Sequence, residues 1–172
     1  MKVLNTNLKQ GRNYWLLAEK IIGIILLIWS AIVLYNIIYV IAGVVRSDYT
    51  SRVNISYTSI AVQNHLTIIL GILCLFGSCM LLYKDKTGWM LCVITSLLYG
   101  ISLFLSASSK SADGAMPMSQ YYKSYSAAAL LFFIIFILLV LTPIRKKYQP
   151  TLKTWIIIGL AILLFIIDRS LL

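Results

Sequence analysis

Five runs of apolar residues divide the chain, at 21–45, 59–83, 88–106, 124–142 and 155–172, with short polar or basic stretches between them. A helix needs about 20 such residues to cross a hydrocarbon layer roughly 30 Å thick. Each of the first four runs is close to that length or longer. A segment surrounded by lipid must satisfy its own backbone hydrogen bonds, so each run is predicted as a helix. The fifth run has thirteen uninterrupted apolar residues, 155–167, before Asp168 and Arg169. Carried to Leu172 it measures about 27 Å, a mismatch that modest thinning absorbs, with Arg169 snorkelling to the surface. An interfacial helix would carry a charged face, and 156–167 has none in any direction. The pattern therefore predicts an all-α, multi-pass transmembrane helical bundle of five spans, built as one integral membrane domain over 1–172. The alternative is four spans followed by a C-terminal interfacial or re-entrant helix.

The second and third runs each carry a line of small and polar residues at helical spacing. Gln63, Thr67, Gly71, Cys74 and Ser78 recur at steps of three and four, as do Gly88, Cys92, Thr95, Tyr99, Ser102 and Ser106. Lipid gains nothing from such a line, whereas helix contacts in a bilayer favour small residues and hydroxyls. Residues 84–87 leave space only for a tight turn, which makes the two helices antiparallel neighbours. The two lines are expected to meet, with Gly71 facing the third span near Cys92 or Thr95. The fourth run has no polar side-chain atom from Leu130 to Leu141 and is expected to face lipid over much of its circumference, with Pro143 closing it. A hydrophilic stretch at 46–58 separates the first two spans, and Asp113, Gly114 and Pro117 mark a turn before the fourth.

Composition agrees with this class. The chain is 60% hydrophobic and only 12% charged, against roughly a quarter charged in soluble domains. The net charge of +10 would raise the question of nucleic acid if it formed one patch, but the basic residues are spread between apolar runs, so no nucleic-acid partner is expected. Their distribution orients the chain instead. With a cytoplasmic amino terminus, Lys2, Lys9, Arg12, Lys20, Lys84, Lys86, Arg145, Lys146, Lys147 and Lys153 lie inside, and Arg46, Arg52, Lys110, Lys123 and Arg169 outside. Trp15, Trp89 and Trp155 then fall at the inner interface, and Tyr121, Tyr122 and Tyr125 at the outer one. The tail at 1–20 resembles the basic region of a signal peptide, but the run after it is about twice as long as a cleavable segment. Within the tail, Val3, Leu4, Leu8, Trp15 and Leu16 permit a short interfacial helix. No internal repeat supports a transporter built from inverted halves.

Candidate chemistry gathers at one place. Gln63, Asn64 and His65, the last the sole histidine, lie just inside the outer end of the second span. Polar groups there serve either as a ligand or proton site or as residues wetted near the surface and bonded to neighbouring helices. Asn36 on the first span is placed to reach this cluster, and its face continues through Tyr39 and Gly43, which also suits packing on another helix. No cofactor or metal is expected: His65 and Cys74 are nine positions apart, about 13 Å along a helix. There is no paired carboxylate within a span, no serine beside a base, no phosphate loop and no CxxC motif. Asp48, Asp85 and Asp113 read as solvated loop charges, and Asp168 as a terminal ion pair with Arg169. Asn54, Ile55 and Ser56 match a glycosylation acceptor in a eukaryotic setting. The three cysteines, Cys74, Cys79 and Cys92, all lie in apolar runs and imply no disulfide framework.

These features point to a small, non-enzymatic membrane protein of accessory, regulatory or immunity-like type. Its partners are the lipid bilayer and either a second copy or another membrane protein. A homo-oligomeric pore lined by the polar faces of the second and third spans is the alternative, since the hydroxyls of Thr67, Ser78, Thr95, Ser102 and Ser106 suit water as well as packing. A membrane enzyme using Gln63, Asn64 and His65 is the third reading.

Overall fold

A computed structural model describes the backbone of residues 2–51, 57–112 and 119–171 and the side chains of 14–43, 64–106, 126–141 and 143–168. It is built of helices: α1 (Lys2–Ser51), α2 (Tyr57–Leu82), α3 (Lys86–Ala112), α4 (Ser119–Val140), α5 (Thr142–Tyr148) and α6 (Leu152–Leu171), with no strand among the described residues. Tyr14–Gly43, Asn64–Leu82 and Lys86–Ser106 are long and apolar enough to cross a membrane, and Ser126–Val140 forms a shorter apolar helix. The chain is a helical membrane protein. The Asn54, Ile55, Ser56 triplet and the Asp113, Gly114, Pro117 turn lie outside the described residues.

Helix α1 extends past the expected span in both directions. It is a single helix of 50 residues, about 75 Å long, so the tail is not a separate interfacial helix and the polar stretch after Val45 does not stop it at once. The first proline of the chain is Pro117, and the tail's lysines, glutamine and leucines favour helix, against Gly11 and three asparagines that do not.

Helices α2 and α3 are joined by a turn that is specified residue by residue. The Lys84 amide donates to the Leu81 carbonyl at 2.9 Å and the Asp85 amide to that of Met80 at 3.0 Å. Lys84 is left-handed, with φ 63°, and this pair of bonds around a left-handed residue is a standard way to close a helix. The Asp85 carboxylate, exposed as expected of a loop charge, also accepts from the Thr87 amide at 3.4 Å and caps α3. Gly88 lets α3 lie against the end of α2, because a Cβ there would run into the backbone of Met80 and Leu81.

Helix α3 occupies the centre, with α2, α4 and α6 around it, while α1 packs on α2. Trp89, Cys92, Val93, Thr95, Ser96, Leu98 and Tyr99 are all buried. Helix α4 places Ala129, Phe132, Ile135 and Leu139 against α3 and leaves Leu130, Leu131, Ile134 and Ile137 exposed, as its unbroken apolar run implies. Helix α6 buries Thr154, Ile158 and Phe165, one stripe at steps of four and seven.

Pro143 does more than end the fourth run. The backbone leaves the helix at Leu141 (ψ 145°), and Pro143 sits in the first turn of α5, where a missing N–H costs nothing. Arg145, Lys146 and Lys147 are therefore carried on a short helix. Gln149, left-handed at φ 43°, ends it with its amide on the Arg145 carbonyl.

Candidate functional site

The three-residue polar cluster of α2 does not form one site. Asn64 lines a cavity of about 120 Å³ between α1 and α2, together with Asn36, Ile37, Val40, Ile41 and Ile68. His65, one residue and about 100° further round the helix, turns to α6, where its Nε2 lies 3.0 Å from Oδ2 of Asp168. An ionised carboxylate only accepts, so this bond requires the proton on Nε2. Both side chains are about one third to two fifths exposed, at 33% and 41%. The side chain of Gln63 lies outside the described residues. Asn36 thus shares the wall of one cavity with Asn64, on the exposed side of α1, and His65 is not part of that wall. Asp168 pairs across the bundle with His65; the side chain of Arg169, its expected partner, lies outside the described residues.

A second polar centre lies at the opposite end of the bundle. Glu19, in the lower turns of α1, is buried at 4% exposure. Both of its carboxylate oxygens accept from Lys147 Nζ at 2.6 Å, and the Tyr148 hydroxyl donates to Oε1. Burial pushes the Tyr148 phenol well above its usual range, and the bond to the Glu19 carboxylate and its negative charge add to this. The Tyr148 ring stacks on Trp89 with centroids 5.9 Å apart, and Trp155 meets Trp89 edge-on at 6.1 Å. Trp89 is fully buried, with its Nε1 donating to the Leu139 carbonyl at 2.9 Å; it ties α3 to α4 and does not face headgroups as an interfacial anchor would. A lone acid among lysines reads in sequence as solvated, and nothing local announces partners 128 and 129 positions away.

The small-residue line of α2 serves two neighbours rather than one. A Cβ on Gly71 would meet Leu34 Cδ2 of α1 at 3.0 Å, so Gly71 faces α1 and not the third span. The close contact with α3 is at Gly77, absent from the predicted line, where a Cβ would lie 2.8 Å from Leu91 Cβ. Cys74 stands at the junction, its Sγ 3.6 Å from the Leu26 carbonyl. Thr67 is exposed, Gly88, Cys92, Thr95 and Tyr99 are buried, and Ser102 and Ser106 are half-buried.

The hydroxyls along this line turn back on their own helices. Ser78 donates to the Leu75 carbonyl at 2.9 Å, Thr95 to Leu91 at 2.9 Å, and Ser106 to Ser102 at 2.8 Å. Ser78 and Thr95 have no exposed surface, so within one chain they line no aqueous path. At the centre, Trp29, Tyr99 and Phe132 form an aromatic cluster, and Trp29 Nε1 and the Tyr99 hydroxyl are buried without a hydrogen-bond partner among the described residues. No group of three or more His, Cys, Asp or Glu side chains converges among the described residues. No protein-family model, curated protein or solved structure matches the chain.

Proposed function

We propose that this chain is a non-enzymatic membrane protein of five spans with its amino terminus in the cytoplasm, and that it works as an accessory or regulatory protein through helix association. A second copy docks on the far half of α1. The five-span reading draws support from the His65 to Asp168 bond, which sets the end of α6 level with the start of α2. The excess of basic residues near the α2–α3 turn supports the orientation. The non-enzymatic reading draws support from the division of Asn64 and His65 between two sides of α2, which leaves no convergent acid, base and nucleophile among the described residues.

The observation that carries the proposal is the face of α1 formed by Asn36, Tyr39 and Gly43. All three are exposed, and a Cβ on Gly43 would meet nothing within 4 Å. Asn36 is sixteen residues beyond Lys20, about 24 Å along the helix and inside a layer roughly 30 Å thick. An amide facing lipid there is costly, and another helix relieves it. The carboxamide both donates and accepts, so two copies related by a two-fold axis satisfy each other through the same residue. Gly43, two turns on, lets the backbones approach.

Energy transfer between donor- and acceptor-labelled copies in liposomes tests this. Wild-type protein is expected to associate, and Asn36→Leu to weaken association by about fivefold, the worth of one interhelical polar contact. Leucine suits lipid, so the fold is kept. Equal transfer in the two proteins would remove the proposal.

A further inference from the structure

At the α2–α3 turn end, Arg145, Lys146, Gln149, Pro150 and Trp155 line an open cleft of about 670 Å³. Two cations and no acid stand on its wall. The carboxylate of the buried centre, Glu19, is occupied by Lys147 and Tyr148, and Arg145 and Lys146 make no ion pair among the described residues. The cleft is held in shape from below: Lys86 Nζ donates to the Gln149 carbonyl at 3.2 Å, tying the end of α5 to the start of α3. Thr151 and Thr154, bonded through their hydroxyls at 3.2 Å, start α6 beside it.

The surroundings of the cleft change from cationic to apolar within one turn of α6. Leu152 is 78% exposed and Ile156 53%, and the half-buried Trp155 forms the wall between the two zones. An indole at such a boundary sits at headgroup depth, and basic pockets on the cytoplasmic side of a bundle suit anionic headgroups. We infer that this cleft holds the headgroup of an anionic phospholipid, its phosphate on Arg145 and Lys146 and its acyl chains along the exposed apolar side of α6. Guanidinium and ammonium both donate to phosphate oxygens, and a zwitterionic headgroup brings a second cation that this wall repels.

The test is native mass spectrometry on the full-length protein in mild detergent, with phosphatidylglycerol and phosphatidylcholine of the same acyl chains at equal concentration. Phosphatidylglycerol should be retained in preference. Arg145→Gln with Lys146→Gln should lower its affinity roughly 30-fold, at about fivefold for each basic contact, and leave phosphatidylcholine unchanged. Lys20→Gln with Lys84→Gln, which removes two cations from a neighbouring cavity at the same end, should change it by less than about threefold. Equal retention of the two lipids, or equal losses in the two double variants, would overturn the inference. So would displacement of phosphatidylglycerol by millimolar inorganic phosphate, which would assign the cleft to a soluble anion. A thermal shift of wild-type protein with dioctanoyl phosphatidylglycerol, and none with the choline analogue, checks the claim without any variant.

Discussion

Replacing Lys147 by methionine isolates the buried charge at Glu19. The two partners are unequally placed: the Lys147 side chain is 29% exposed and that of Glu19 only 5%. Loss of the carboxylate leaves an ammonium able to turn to water, whereas loss of the ammonium leaves a carboxylate that cannot. Breaking a buried pair from the side that strands the other charge costs about 3–5 kcal/mol. The Tyr148 hydroxyl still donates to Glu19, so the lower figure applies, about 3 kcal/mol, or a fall of roughly 10 °C in Tm. Glu19→Gln keeps an acceptor for Tyr148 and should cost about 1 kcal/mol. The double variant should recover part of the Lys147→Met loss, because no charge then remains buried. Thermal unfolding followed by size-exclusion in mild detergent gives the ranking. If Glu19→Gln is the more damaging change, or the two losses simply add, the buried centre does not work as described.

Three further outcomes follow from particular atoms. Gly88→Ala should lower stability by about 1–3 kcal/mol, because its Cβ meets backbone of Met80 and Leu81, while Gly159→Ala, open on all sides, should be neutral or slightly stabilising; similar melting of the two would refute the close approach. Tyr99→Phe removes a buried hydroxyl without a partner and should raise stability by about 1 kcal/mol; a loss on calorimetry would reveal a bonded hydroxyl. Tyr148 has its phenol pKa raised, so the folded state keeps the proton longer than the unfolded one. Its contribution is complete below the unfolded value near 10 and is lost as pH rises above it. Wild-type protein should therefore lose more stability than Tyr148→Phe between about pH 9 and 11, and parallel profiles would contradict the shift.

The membrane class and the α2–α3 hairpin were legible because they rest on local patterns, apolar run length and the spacing of small residues, whereas the central place of α3 emerges only from its contacts with α2, α4 and α6. The same spacing identifies a face but not the helix that meets it. Helix α2 lies between α1 and α3, so its small residues divide, Gly71 toward Leu34 and Gly77 toward Leu91. The start of α5 was hidden because Pro143 reads equally as the stop of one helix and the first turn of the next. Both polar centres join residues more than a hundred positions apart, His65 with Asp168 and Glu19 with Lys147. A single charge carries no sequence signal of a partner at that range. Asn36 was legible as a polar residue on a helix face, but that Asn36, Tyr39 and Gly43 stay exposed in the folded chain is a property of the packing alone.

Self-association through the far half of α1 is tested most directly by a distance between copies. A single spin label at Ala42, an exposed position beside Gly43, is introduced by Ala42→Cys in a background where the half-buried Cys79 is replaced by serine; Cys74 and Cys92 are buried. Pulsed dipolar spectroscopy in liposomes at low protein-to-lipid ratio should give a defined separation of about 10–25 Å, set by the 8–10 Å between packed helix axes plus the reach of two labels. The same label with Asn36→Leu should lose most of that modulation. A signal showing only the uniform background of isolated chains, or one that Asn36→Leu leaves intact, would contradict association through this face.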